Sequence, residues 1–361
     1  MKFLGGGETW MLQMAGHLAR RGHKAVIAAR PKTELLAQAR ARGLAAEPLQ
    51  IAGDLNPILL WKLAAITRKH QTQIVIANTA RDIRISGLVA RLTRSFAVLG
   101  LHQVDRTIPN RWNYRLTFNH FADAVVVNSD ATRQTLLRTC SWMRQDHLRV
   151  IHHGIDPEAH RGGNGKKIRD ELRIPTGAFV LGFVGRLSGQ KGIASLLAAM
   201  EIIEKRSPET HLVIAGTGSH EPKVRRFVAA REKVHYLGFR QDIPAVMDAC
   251  DVMLVPSNWE GFGLVVIEAM AAGIPCIASA VSSLPEIIIP EYNGLLVPPE
   301  DPPALAAAVE RLHLNPELRE QFRLHGLETV TKKFTVNQML DCYENLFSQL
   351  LSKSGQADGK G

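Results

Sequence analysis

The sequence predicts an α/β protein of two doubly wound, parallel-sheet (Rossmann-like) domains facing each other across a cleft. Three observations carry this. Short apolar runs such as Ile74–Ala77 (IVIA) and Ala124–Val127 (AVVV) are continuous rather than alternating, as expected of strands covered on both faces. Runs of this kind are trailed by segments of helical period, the βα alternation of a parallel sheet. The alternation breaks once, in a polar, glycine-rich stretch near the middle, and then restarts.

The elements follow in order. A helical pattern over Leu12–Leu18 ends at Arg20-Arg21-Gly22-His23, and a short strand covers Ala25–Ala29. Helices Glu34–Arg42 and Pro57–Lys69 precede strand Ile74–Ala77, helix Arg84–Leu92 and strand Ala97–Leu101. Helix Asn110–Phe121, strand Ala124–Val127, helix Ala131–Arg138 and strand Arg149–Ile151 complete an N-terminal domain over residues 1–155. Residues 156–175, with Arg161-Gly162-Gly163-Asn164-Gly165, read as a linker. The second domain, 176–335, opens with strand Phe179–Phe183, helix Gly192–Lys205, strand His211–Ala215 and helix Glu221–Arg231. Strand Val234–Leu237, helix Ile243–Ala249 and strands Val252–Val255, Cys276–Ala278 and Leu295–Val297 follow. Helices Pro303–Leu314, Pro316–Thr329 and Val336–Leu350 close the chain, and 352–361 read as a disordered tail.

The 361 residues are long for a single core, and 45% apolar with 22% charged content is that of a soluble globular protein. No apolar run approaches a membrane span, and MKFLGGGETW holds no signal-peptide core, so a cytoplasmic protein is expected. Four cysteines without paired spacing read as reduced thiols. The net charge of +10 is uneven: residues 1–150 carry 22 Lys and Arg against 9 Asp and Glu. A basic half suits an anionic membrane face or an acidic acceptor, or is merely a solvated surface. Nucleic acid is not expected, because the charges are dispersed and aromatics are only 6%.

The chemistry concentrates at Glu260–Gly273, EGFGLVVIEAMAAG. A strand, a Gly261-Phe262-Gly263 turn and a helix start present free backbone N–H groups and a positive dipole end, the parts of an anion site. Two carboxylates there, Glu260 and Glu268, suit sugar hydroxyls as ligands. Arg186 and Lys191, just past strand Phe179–Phe183, suit a diphosphate, or are two solvated loop cations. Gly216-x-Gly218 lacks the third glycine of the dinucleotide fingerprint. Gly5-Gly6-Gly7 opens the first helix, again an anion-friendly place or a flexible chain start. His102 ends strand Ala97–Leu101, where a histidine orients a reacting group or simply satisfies the core. His152 and His153 read as linker-edge residues, and no metal-ligand set is visible.

These residues resemble the group 1 family of retaining glycosyltransferases, which have the GT-B fold. Carrying the resemblance are Gly185-Arg186-Leu187, Lys191-Gly192, Gly216-x-Gly218 and Gly238-Phe239-x-x-Asp242. Pro256-Ser257-x-x-Glu260-Gly261-Phe262-Gly263 and Glu268-Ala269-Met270-Ala271-Ala272-Gly273-x-Pro275 follow. The resemblance implies that Arg186 and Lys191 hold the donor diphosphate, Glu260 the donor sugar and Glu268 the ribose. It implies backbone contacts from Gly185, Phe262, Gly263, Leu264, Gly216 and Gly218. The backbone near Phe239 and Arg240 would lie beside the base, and Gly6 and Gly7 near the phosphates. His102 falls where the family often places a histidine on the donor sugar. The implied reaction moves a sugar from a nucleoside-diphosphate-sugar to a glycan or lipid-linked hydroxyl acceptor, with retention and no metal or cofactor. Cell-envelope glycan synthesis, with the protein peripheral on the inner membrane face, is the implied setting. A C-terminal helix over 336–351 would return to the N-terminal domain. The alternatives are a sugar-nucleotide epimerase of the same fold and an inactive, N-terminally truncated relative. In one respect the chain departs from the family: only Met1–Leu4 precede Gly5, so the first strand is expected to be missing or truncated.

Overall fold

The structure, a computed structural model, describes residues 6–50 and 56–358. The chain divides into two compact units. Unit 1 takes the chain up to Asn128, Arg133–Ile151 and the end from Met339; unit 2 takes Ser129–Thr132 and His152–Gln338.

The elements running to Val150 are α1 (Gly6–Arg20), β1 (Val26–Ala29), α2 (Glu34–Ala41), β2 (Ala45–Pro48), α3 (Pro57–Lys69), β3 (Ile74–Ala77), α4 (Ala80–Thr93), β4 (Ala97–His102), α5 (Trp112–Leu116), β5 (Ala124–Val127), α6 (Asp130–Thr139) and β6 (Leu148–Val150). Helix starts follow capping chemistry. Asn56 accepts from the Ile58 N–H ahead of α3, and Thr79 with Asp82 forms a reciprocal capping box on α4. All pairing is parallel, but the strands form two sheets: β1 with β2, and β3-β4-β5-β6 in that order. The C-terminal helix supplies Tyr343, which is buried in unit 1 with its ring tilted against Trp10, and Arg21 pairs with Asp341 and Glu344.

Unit 2 continues with α7 (Gly165–Glu171), β7 (Val180–Val184), α8 (Ile193–Arg206), β8 (His211–Ala215), α9 (Glu221–Val228), β9 (Val234–Gly238), α10 (Ile243–Asp248), β10 (Val252–Val255), α11 (Leu264–Ala271), β11 (Cys276–Ser279), α12 (Leu284–Ile287), β12 (Gly294–Val297), α13 (Pro302–Leu314), α14 (Pro316–Lys333) and α15 (Val336–Asp358), whose end lies in unit 1. Its six strands form one parallel sheet in the order β12-β11-β10-β7-β8-β9. Successive side chains go to opposite faces: Val180 and Val213 join one core with Met253 and Ile267, while Leu181, Leu212 and Leu254 join the other with Leu196 and Phe322. That double burial is why these strands read as unbroken apolar runs.

Four expectations need correction. The stretch expected as a linker, 156–175, belongs to unit 2: Pro157–His160 form a 3₁₀ turn and α7 follows, with Ile168 fully buried. Its glycines serve close approach, since a Cβ on Gly163 or Gly165 would lie 2.3 Å from the carbonyl oxygen of Pro244 or Asp248. β2 was not expected, because AAEP has weak strand propensity; at a sheet edge its proline costs no ladder bond. The single helix expected over Asn110–Phe121 is α5 followed by a π turn, Thr117–Phe121. The expected tail begins inside α15, which runs to Asp358. The expectation for the first strand falls on Met1–Leu4, outside the described residues.

Candidate functional site

The order of the unit 2 sheet locates the site. β8 and β9 continue to one side of β7, and β10, β11 and β12 to the other, so the winding reverses between β7 and β10. Open α/β sheets bind ligands beyond the strand carboxyl ends at such a reversal. The two loops leaving β7 and β10 carry Arg186 with Lys191 and Glu260 respectively.

These loops are bonded together. The Asn258 N–H donates to the Gln190 carbonyl at 2.8 Å, and Gln190 Nε2 donates to the Trp259 carbonyl at 3.3 Å. Lys191 Nζ donates to Glu260 Oε1 at 2.6 Å, and Ser257 Oγ donates to the same oxygen at 2.7 Å. Glu260 is only 4% exposed. A buried carboxylate needs a cation and hydrogen bonds to remain charged, and both converge here. Gly192 makes the approach possible: its φ is +66°, and a Cβ there would lie 1.7 Å from the Pro256 carbonyl oxygen. Arg186 is exposed and makes no hydrogen bond or ion pair among the described residues.

The turn after Glu260 leads into α11 through Gly263, at φ +96°, where a Cβ would meet Leu284 at 2.6 Å. The turn is held from the far side. Ser282 Oγ accepts from the Glu260 N–H at 3.3 Å, and Ser283 Oγ donates to the Phe262 carbonyl at 2.7 Å. Leu264, the first residue of α11, is exposed. The Phe262 ring is buried against His153 and Phe334, so the side chain is core. Glu268 lies one turn into α11. Burial pushes its pKa up to about 7, with Lys191 pulling the other way. Its side chain accepts no hydrogen bond among the described residues.

The loops after β7, β8 and β9 are laced by backbone. The Gly185 N–H donates to the Ala215 carbonyl at 3.0 Å, and the Gly216 N–H to the Gly238 carbonyl at 2.7 Å. Gly218 backs onto Leu187, whose N–H donates to the Thr217 carbonyl at 2.9 Å. Phe239 is exposed. Arg240 has its guanidinium committed to Asp242 at 2.7 Å and Glu171 at 3.0 Å, which holds its pKa above the ordinary arginine value. His153 is not a linker-edge residue: it is buried, and desolvation with the neighbouring His152 lowers its pKa to about 4.

Unit 1 places the rest. Gly6 and Gly7 form the start of α1, with Gly7 near the Asn78 side chain. His102 ends β4, and its Nε2–H donates to the Arg106 carbonyl at 2.9 Å. Burial lowers its pKa, so the ring is neutral at pH 7. Sequence reasoning did not single out Ser257, Ser282 or Ser283 as the supports of Glu260 and its turn. Ser257 alone carried a signal, three residues ahead of the carboxylate.

Two family models match this chain. Residues 164–328 match the glycosyl transferases group 1, and residues 4–159 match glycosyltransferase family 4. A D-inositol 3-phosphate glycosyltransferase of Saccharomonospora viridis is 33% identical over 240 residues, 62% of this chain and 55% of that protein. The lipopolysaccharide core biosynthesis glycosyltransferase LpsD of Rhizobium meliloti is 24% identical over 299 residues, 82% of this chain and 81% of that one. The crystal structure of Anabaena HepE in complex with UDP superposes with a TM-score of 0.84 at 21% identity, covering 95% of this chain and 96% of that chain. The chain spans about half the length of the first of these curated relatives. With matches over both halves, the E-x7-E residues set at the sheet's reversal point and the shared architecture, the chain belongs to the group 1 glycosyltransferases of GT-B fold.

Proposed function

We propose that the chain transfers a sugar from a nucleoside-diphosphate-sugar to a hydroxyl acceptor, retaining the anomeric configuration and using no metal. The observation that carries this is the buried Lys191–Glu260 pair at the reversal point of the unit 2 sheet. Negative charge builds on the leaving diphosphate as the glycosidic bond breaks. Lys191, Arg186 and the N-terminal N–H groups of α11 stabilise it, a role cations and aimed donors fill effectively in a desiccated site. Glu260 Oε1 already holds two donors, so Oε2 is the atom for a sugar hydroxyl. Glu268 accepts from the ribose. Gly185, Gly216, Gly218, Gly263 and Leu264 contribute backbone, as do Phe262, Phe239 and Arg240, with no demand on the committed Arg240 side chain. The UDP bound in the HepE structure supports a nucleoside diphosphate as the donor's leaving group. The likeness to LpsD supports an envelope-glycan acceptor.

The test is transfer from a panel of nucleotide sugars, read with and without chelator. Lys191→Ala, Arg186→Ala and Glu260→Ala should each lower kcat by about 10²–10³-fold, the usual cost of one aimed donor. Wild-type rates in all three variants would overturn the site. Sugar interconversion with no acceptor present would instead favour an epimerase.

An anionic membrane face is the proposed location. The outer side of α3 presents Ile58 and Trp61 beside Lys62 and Arg68, with Trp61 70% exposed. An apolar stripe flanked by cations suits a bilayer interface. Among the described residues no helix is long and apolar enough to cross a membrane. Flotation with anionic but not neutral vesicles is expected; no flotation with either ends this reading.

A further inference from the structure

Phe262 is the one large side chain of the turn from Glu260 to Gly263, and three rings of unit 2 pack against it. His153 and Phe334 meet it edge-on, with ring centroids 5.3 and 5.7 Å away and interplanar angles of 77° and 70°. His152 lies across it at 5.7 Å with only 30° between the planes, and meets Phe334 at 5.7 Å and 66°. Contacts between rings at these distances are favourable and directional. Phe262, His153 and Phe334 are buried, whereas His152 is half-buried and bonded to a carboxylate.

That carboxylate is Glu286. Its Oε2 accepts from His152 Nε2 at 3.1 Å and from the Asp130 N–H at 2.9 Å, and its Oε1 accepts from the Ala131 N–H at 2.7 Å. Asp130 and Ala131 lie in the Ser129–Thr132 segment that belongs to unit 2. Burial would raise the Glu286 pKa, yet the bonds from His152, Ala131 and Asp130 hold it below the ordinary glutamate value, so the group is charged at pH 7. An ionised carboxylate only accepts, so His152 Nε2 carries the hydrogen, and the bond to Glu286 fixes the imidazole plane.

Glu286 stands on α12, and the residues just ahead of it touch the same turn. Ser282 Oγ accepts from the Glu260 N–H at 3.3 Å. Ser283 Oγ donates to the Phe262 carbonyl at 2.7 Å and lies 3.4 Å from the Gly261 carbonyl. Leu284 fills the space where Gly263 would carry a Cβ. Ser282 does this at φ +47°, in the left-handed region that few residues other than glycine adopt. Such a conformation persists where surrounding contacts over-determine it, and is concentrated at functional sites.

We infer that His152 is a positioning residue for the turn ahead of α11: oriented by Glu286, its ring sets the Phe262 side chain and through it the aim of the Gly263 and Leu264 N–H groups. Two observations separate aim from stability alone. Gly263, at φ +96°, has no side chain of its own to fix the direction of the chain entering α11. A plain aromatic at 152 would also fill the space beside Phe262, without holding a charge in a half-buried place; the bond to Glu286 adds one defined orientation. That these N–H groups meet a diphosphate rests on the proposed reaction; that His152 orders the turn does not.

The test compares the full chain with His152→Phe, Glu286→Gln and the double variant. His152→Phe keeps a ring and removes the bond, and Glu286→Gln leaves one acceptor oxygen for three donors. Hydrogen exchange is read on a peptide spanning 258–267, where the bonded N–H groups of Glu260 and Val266 report on both ends of the turn, with peptides from β7 and β8 as controls. Each single variant should speed exchange in 258–267 by about tenfold or more while β7 and β8 keep wild-type protection. Each should also lower kcat for sugar transfer by about tenfold or more with a smaller change in donor KM, since a misaimed donor acts on the transition state. The double variant should exchange in 258–267 no faster than His152→Phe, because Glu286 reaches the turn through the ring. Wild-type exchange at 258–267 in His152→Phe overturns the inference. Exchange that rises equally in β7 and β8 gives His152 a role in stability alone and also overturns it, as do additive effects of the two substitutions. A wild-type chain that neither binds a nucleoside diphosphate nor transfers sugar overturns the proposed reaction instead, and exchange at 258–267 then decides this inference by itself.

Discussion

Lys191→Met tests the central pair most directly. It keeps the apolar stem and removes the charge 2.6 Å from Glu260 Oε1. The two side chains are 18% and 5% exposed, so the carboxylate that remains has little water to turn to. Removing one member of such a pair typically costs about 3–5 kcal/mol, because the partner stays buried and uncompensated. Ser257 still donates to Oε1, which favours the lower end. For a unit of this size about 3 kcal/mol corresponds to roughly 6–12 °C in Tm. Glu260→Gln added to Lys191→Met removes the stranded charge and should recover part of the loss. Thermal and urea unfolding of the four proteins of this double-mutant cycle read the coupling directly, with about 0.5–3 kcal/mol expected for residues in contact. A Lys191→Met protein that unfolds within about a degree of wild type would refute the reasoning. So would a double variant no more stable than the single one.

Gly192→Ala should destabilise unit 2 severely, read as a lowered urea midpoint, because its Cβ would lie 1.7 Å from the Pro256 carbonyl oxygen at a φ of +66°. Glu268 has a folded pKa of about 7 against an ordinary value of 4.5, so the native state holds its proton longer. Its contribution is therefore fully present below about pH 4.5 and lost as pH rises through 7, on the order of 3 kcal/mol; Glu268→Gln should remove that slope. His153 works in the other direction. Its folded pKa of about 4 lies below the ordinary 6.5, so stability is lost as pH falls from 6.5 through 4, and His153→Gln should flatten that limb. The two slopes oppose each other between about pH 4.5 and 6.5, so each variant should reveal a pH dependence that the wild-type curve hides.

How much was legible in the sequence varied with the range of the interaction that decides each feature. The strands and the E-x7-E turn are set by local pattern, and apolar runs such as VMLV at Val252–Val255 mark buried parallel strands on their own. The order of those strands is not local. Nothing in the sequence states that β10 returns to lie beside β7, and this return is what brings Glu260 to Lys191. The glycines of 162–165 misled for a related reason. Gly163 and Gly165 look like flexibility, yet they are the positions where α7 meets backbone near α10. The commitment of the Arg240 side chain was only half visible: Asp242 lies two residues on, but its other partner, Glu171, lies far off in sequence. The supports of the turn, Ser282 and Ser283, are likewise separated from it by a helix and a strand.

The Lys191–Glu260 pair raises the question of whether a diphosphate must break it. An ammonium has three N–H donors, and Glu260 takes one, leaving two for phosphate oxygens. Glu260 in turn offers Oε2 while Oε1 keeps Lys191 and Ser257. The pair can therefore persist through binding and act as a rigid spacer between the atoms that hold a phosphate and the atom that holds a sugar. Arg186 differs: exposed and without a partner among the described residues, it has rotamer freedom to lose on binding. Truncating Lys191 should thus disturb geometry for both groups and lower kcat. Truncating Arg186 removes a fork that closes only on the ligand, and should weaken nucleotide binding as well. A calorimetric titration of both variants with a nucleoside diphosphate separates the two roles, because only the Arg186 variant should gain a less unfavourable binding entropy.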